Sequence, residues 1–197
     1  MKNILLLLSS LFFLNSSSVF ADELSDFEVL GMSIGDSLLD FMPEVDIFYE
    51  IEKRKKLNRY SHLKEPYKFL EITVPKQKDY LYDGAVVFIK NTIPRNYTIH
   101  AIRGYRYYIE DFDACIKRRN QIVEILTDFF PDAKTGSLID EDNKGILDNF
   151  SLGNSERIID VNCKDLEETY RLKNNFNEGL DFVIRNEEFS DWGLNYK

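Results

Sequence analysis

Histidine is scarce in this chain: His62 and His100 are the only two in 197 residues. That leaves little for general-base or metal chemistry. The two cysteines, Cys115 and Cys163, lie too far apart for a Cys-x-x-Cys redox pair, and zinc-finger spacing is absent. No cofactor fingerprint and no pair of acids at a credible acid–base spacing can be drawn. Internal repeats are absent, and past the first twenty-one residues no stretch approaches the ~20 apolar residues of a spanning helix. No catalytic residue, cofactor or metal site is therefore expected.

What is present begins with a leader. Lys2 is followed by an apolar run from Ile4 to Leu14, then Asn15-Ser16-Ser17-Ser18 and Val19-Phe20-Ala21. A positive start, a short apolar core and small residues before a cut make a secretory signal peptide. Asp22 and Glu23 stand where a lipoprotein would carry its cysteine. The expectation is cleavage after Ala21, leaving residues 22–197 as a single domain in the periplasm or outside the cell, with no membrane span. A chain of this size buries roughly 70% of its unfolded surface.

Net charge is −9, which repels phosphate backbones and anionic lipid. A local exception, Lys53-Arg54-Lys55-Lys56 with Arg59 and Lys64, reads as a solvated face, and nucleic acid is not an expected partner.

Along the chain, Ser33-Ile34-Gly35-Asp36 has capping-box form and predicts a short helix with Leu38, Leu39 and Phe41-Met42 on its apolar side, stopped by Pro43. Residues 44–65 read as irregular, with at most a helical turn near Ile51. Strands are expected at Tyr67–Val74, Ala85–Lys90 and Tyr97–Arg103, the second apolar on both sides. A long helix from Phe112 to Phe130 carries an apolar stripe of Phe112, Cys115, Ile116, Ile122, Val123, Leu126, Phe129 and Phe130. Strands at Ile146–Leu152, Arg157–Cys163 and Leu180–Asn186 complete the order. The fold class is α+β: a single antiparallel sheet of about six strands, packed on one face by the long helix and the short N-terminal helix.

Export makes Cys115 and Cys163 candidates for a disulfide. Cys115 lies on the helix stripe, and Cys163 alternates with Ile159 and Val161 on one strand face. If the helix covers that face, both sulfurs enter the same layer. Tyr105, Arg106, Tyr107 and Tyr108 form a possible binding surface, able to stack a ligand.

Two further motifs have plain alternatives. Gly31-Met32-Ser33-Ile34-Gly35 matches a hydrolase nucleophile elbow, with His62 or His100 as the only bases, but little chain precedes it to build the required sheet. A helix cap is the expected role of Ser33. Asp140-Glu141-Asp142-Asn143-Lys144-Gly145 starts like a calcium loop, but its fifth position is Lys144 and its twelfth is Ser151. An acidic hairpin turn is the simpler reading.

The string from Gly31 to Phe41, the two cysteines and Glu188-Phe189-Ser190-Asp191-Trp192 resemble a family of secreted proteins from AT-rich marine bacteria. The chain departs from that pattern at Gly193. The resemblance implies export and no activity. Gly-Met-Ser ahead of a short helix is also similar to small envelope domains of the outer-membrane-assembly lipoprotein type. Those carry a lipid-modified cysteine that this chain lacks. The leading expectation is a non-catalytic domain that binds a periplasmic protein or a small ligand. A serine hydrolase using Ser33 and a structural envelope-assembly component are the alternatives.

Overall fold

Seven strands, β1 (Phe69–Val74), β2 (Gly84–Lys90), β3 (Ile99–Tyr107), β4 (Lys134–Asp142), β5 (Gly145–Gly153), β6 (Arg157–Leu166) and β7 (Gly179–Asn186), form one antiparallel sheet. The computed structural model describes residues 28–196 apart from 76–81, 155–156, 175 and 177. The expected leader therefore lies outside the described residues. Strand order across the sheet is β1-β2-β3-β7-β6-β5-β4. The helices are α1 (Glu44–Lys55), α2 (Phe112–Phe129), α3 (Glu168–Asn174) and α4 (Glu187–Gly193), with a 3-10 turn at Leu38–Asp40. None of the described helices is long and apolar enough to cross a membrane.

Side-chain alternation sorts the sheet into two faces. One face carries Leu70 and Ile72, Val87 and Ile89, Ile159 and Val161, Phe182 and Ile184, which join the main core. Helix α2 lies on this face, mainly over β6 with β5 and β7 beside it. Its Cys115 and Leu126 are buried. The stripe departs from expectation at its end: Phe129 is 67% exposed, and Phe130 turns inward instead at 4%. Phe130 is the C-cap: its N–H still donates to the Leu126 carbonyl at 2.9 Å, but at φ −124° and ψ 63° its backbone has left the helix. Cys115 and Cys163 are joined by a disulfide with their Cα atoms 5.9 Å apart. Strand alternation supplies the geometry: Ile159, Val161 and Cys163 all point to the helix and are fully buried.

The sequence reading placed helices on one face; the structure covers half of the other as well. Leu63, Phe69, Val86, Phe88, Ala101 and Trp192 form a second apolar cluster there. The cause is β2, whose alternate residues are apolar on both sides and buried along almost its whole length. Helix α4, capped by Asn186, brings Phe189 and Trp192 over that half.

Three other expectations are corrected. Ser33 does not cap a helix. Its N–H donates to Asp36 Oδ2 at 2.7 Å within a tight turn, and Gly35 takes a φ of 101°, which ends any helical start there. Ser37 is the cap, accepting from the Leu39 N–H at 3.3 Å at the head of the 3-10 turn. Residues 44–55 are helical rather than irregular. Glu44 and Asp46 in the first turn and Lys53, Arg54 and Lys55 in the last complement the helix dipole. Only Ile47, Glu50 and Ile51 are buried, too short a stripe to reveal periodicity. The extra strand, β4, is exposed at every position.

Candidate functional site

The uncovered half of the second face is polar, and its composition follows from the strand registers. Arg103 on β3 pairs across to Val183 on β7, which pairs to Asp160 on β6, then Ser151 on β5 and Gly136 on β4. One row over, Tyr105 meets Asp181, Asn162, Asn149 and Leu138 in the same sequence of strands. The next row runs Tyr107, Gly179, Lys164, Leu147, Asp140. Because cross-strand partners share a face, these side chains form one continuous floor.

Above that floor lies a cleft of about 490 Å³, within the usual range for a small-molecule site. Arg59, Tyr60 and His62 form one wall, on the side covered by the second apolar cluster. The β4–β5 hairpin, with Asp140, Asp142 and Lys144, contributes to the opposite side, together with Tyr170 and Phe176. Leu147 and Leu166 add apolar surface, and Arg103, Asp181 and Lys164 give the floor its charge.

Most charges here are already matched. Lys164 is paired with Asp181, and Arg185 with Asp160, whose other oxygen accepts from Ser151 Oγ at 2.5 Å. Arg59 and Arg54 both reach Glu71, at 3.6 and 3.1 Å. The Asp142 carboxylate accepts from the Lys144 N–H at 2.7 Å, closing the acidic hairpin. Arg103 differs. Among the described residues its guanidinium makes no hydrogen bond or close ion pair, and its Nε is sealed from solvent without a hydrogen-bond partner. Burial acts to lower its pKa, but Asp181, Tyr60, Glu71 and Tyr105 together outweigh this and hold it charged. Burial likewise pushes the Tyr60 hydroxyl well above its ordinary range, aided by Glu71, to which it donates at 3.2 Å.

No family model, curated protein or solved structure matches this chain. Function must therefore be argued from the residues themselves.

The four residues read from sequence as a binding surface divide between the faces. Tyr105 packs against the second cluster with Tyr107 beside it, ring centroids 5.4 Å apart. Arg106 sits over the Tyr108 ring at 5.7 Å, and Tyr108 packs against the main core. Arg106 lines a separate apolar pocket of about 150 Å³ with Tyr82, Arg118 and Ile122. The sequence sets Arg103 beside these tyrosines at the end of a strand, and its alternation with Tyr105 is the signal that assigns it to the cleft face.

The Ser33 turn contributes Met32 and Ile34 to the main core, whereas both histidines lie on the other side of the sheet. His62 lines the cleft and stacks on Tyr196 at 5.7 Å. His100 contacts Phe69 of the second cluster at 5.2 Å. Among the described residues, no three His, Cys, Asp or Glu side chains gather where they could hold a metal ion.

His100 has a structural part to play. Asn186 Oδ1 accepts from the Phe189 N–H at 3.0 Å, so its Nδ2 faces His100 Nδ1 at 2.9 Å and donates to it. The ring is then neutral with its proton on Nε2. Burial lowers the His100 pKa, overcoming the opposing pull of Glu188. An unfolded imidazole takes up its proton near pH 6.5, so below that value the unfolded state binds more protons than the native one. The contribution of neutral His100 is thus present above pH 6.5 and lost as pH falls through that value toward the lower native pKa. We expect the urea midpoint to decline as pH drops from about 7 to about 5.5, and His100→Gln to flatten that decline. An unchanged slope in the variant would assign the effect to other groups.

Proposed function

We propose that the protein is an exported, non-catalytic binding domain, periplasmic or secreted, whose cleft receives a small organic anion with an apolar body. The leader sequence and the resemblance to secreted proteins support export, and the disulfide suits an oxidising compartment. The observation that carries the binding reading is Arg103: a charged guanidinium with no hydrogen-bonded partner, on the floor of a cleft. A desolvated guanidinium with an unsatisfied N–H costs free energy that a bound carboxylate or similar anion would recover through charge-assisted hydrogen bonds. The neighbouring cations Lys164 and Lys144 already have acidic partners, which leaves Arg103 as the anchor. Tyr170, Phe176 and Leu147 supply surface for the apolar body.

An aromatic sulfonate such as 1-anilinonaphthalene-8-sulfonate is a suitable probe, because it combines one negative charge with fused rings. Wild type should bind it in the micromolar range, and Arg103→Leu should weaken it at least about ten-fold, the loss of one charge-assisted contact. Arg103→Lys, which keeps the charge but loses the planar fork, should fall between the two. Equal affinity in wild type and Arg103→Leu would remove Arg103 as the anchor.

A further inference from the structure

The two ends of the sheet are guarded very differently. At the β1 edge, helix α1 packs alongside the strand, and Arg54 reaches across to Thr73 and Glu71. At the β4 edge no described element lies beyond the strand. All nine residues of β4 are exposed, including Leu138 at 59% and Ile139 at 67%. Edge strands are normally kept from pairing by proline, bulges, covering elements or charged side chains. Among the described residues β4 has no proline, bulge or cover, its charges Lys134, Asp140, Glu141 and Asp142 sit only towards its ends, and its register with β5 runs unbroken from Lys134↔Gly153 to Asp142↔Gly145.

The sequence of the strand, Lys-Thr-Gly-Ser-Leu-Ile-Asp-Glu-Asp, says which partner fits. Its one cation is at the start, and its three acids are at the end. A second copy laid parallel would stack acid on acid. A copy laid antiparallel about a two-fold axis at Leu138 places Lys134 opposite Asp142 at both ends. In that register Leu138 faces its own counterpart and Ser137 faces Ile139, so the two exposed apolar residues of the edge lie at the centre of the contact. Isologous pairing of this kind closes on itself and stops at two copies.

We propose that the protein forms a homodimer by antiparallel pairing of β4 with β4, centred on Leu138, which joins the two sheets into one of twice the width. Main-chain hydrogen bonds between the edges provide the affinity. The acidic end of the strand opposes parallel pairing and sets the register.

Sedimentation velocity on the protein without its leader, from about 1 to 200 μM, tests this, since a contact of a few side chains plus main-chain bonds belongs in the micromolar range. Wild type should pass from monomer to dimer across that range. Leu138→Lys and Leu138→Glu each bring like charges face to face on the axis, so each alone should remain monomeric, with association weakened at least ten-fold. An equimolar mixture of the two should recover a dimer, because lysine then meets glutamate. Thermal melting of each variant as a monomer verifies that it is folded, as expected for an exposed position. A dimer that survives in either variant overturns the proposal, as does a mixture that stays monomeric. A wild type that is monomeric throughout also overturns it and leaves the edge to a foreign strand.

Discussion

Trp192→Ala will lower the folding free energy by about 4 kcal/mol, within the usual range for deleting a large buried aromatic. Trp192 is 3% exposed and forms the hub of the second apolar cluster. Its ring lies 5.0 Å from Tyr60, 5.3 Å from Phe69 and 5.2 Å from Phe189. Its indole N–H donates to the Glu65 carbonyl at 2.7 Å, tying α4 to the segment that precedes β1. Alanine removes the packing, opens a cavity and leaves that carbonyl without its partner. Trp192→Phe keeps much of the volume and should cost about half as much, which separates packing from the hydrogen bond. Urea denaturation followed by far-ultraviolet circular dichroism measures both, since the protein has only this one tryptophan for fluorescence. A loss below about 1 kcal/mol for alanine would mean that α4 is not needed to hold the sheet.

Replacing both Cys115 and Cys163 by alanine should cost a similar amount, about 4 kcal/mol on the loop-entropy account. The bridge spans 48 positions, a length that includes the whole β4–β5 hairpin. Without it the denatured chain gains that loop's freedom and expands, so the dependence of stability on urea should also steepen. Both sulfurs belong to fully buried residues. A thiol reductant should therefore act on the native protein slowly and on the urea-unfolded protein quickly. Equal stability with and without the bridge would mean that the packing of α2 on β6 suffices alone.

These two contributions stand on features of different legibility. The cystine could be read from sequence because each partner sits on a strong pattern: Cys115 on a helical stripe and Cys163 on an alternating strand. β2 was legible as an inner strand because both of its faces are apolar. β4 was not, because an exposed edge strand buries no side chain and so leaves no alternation to find. Helix α1 was missed for a related reason, with Ile47 and Ile51 as its only buried apolar residues. The cleft was out of reach for a topological reason. Arg103 is brought near Asp181 only because β7 inserts beside β3, a pairing that no local pattern announces. The group Tyr105 to Tyr108 was read as one surface, although the strand period of two assigns its members to opposite faces.

The position of β7 has a consequence in time. β1, β2 and β3 are neighbours in sequence and in space, and so are β4, β5 and β6, so each trio can assemble from local hairpins. No strand pairing joins the trios until residues 179–186 have been synthesised. Before that moment β3 and β6 are both raw edges, and the floor of the cleft does not exist. Contacts of such long sequence separation make for slow folding. The nascent chain therefore waits as two unfinished halves, and its seventh strand is the keystone that makes them one body.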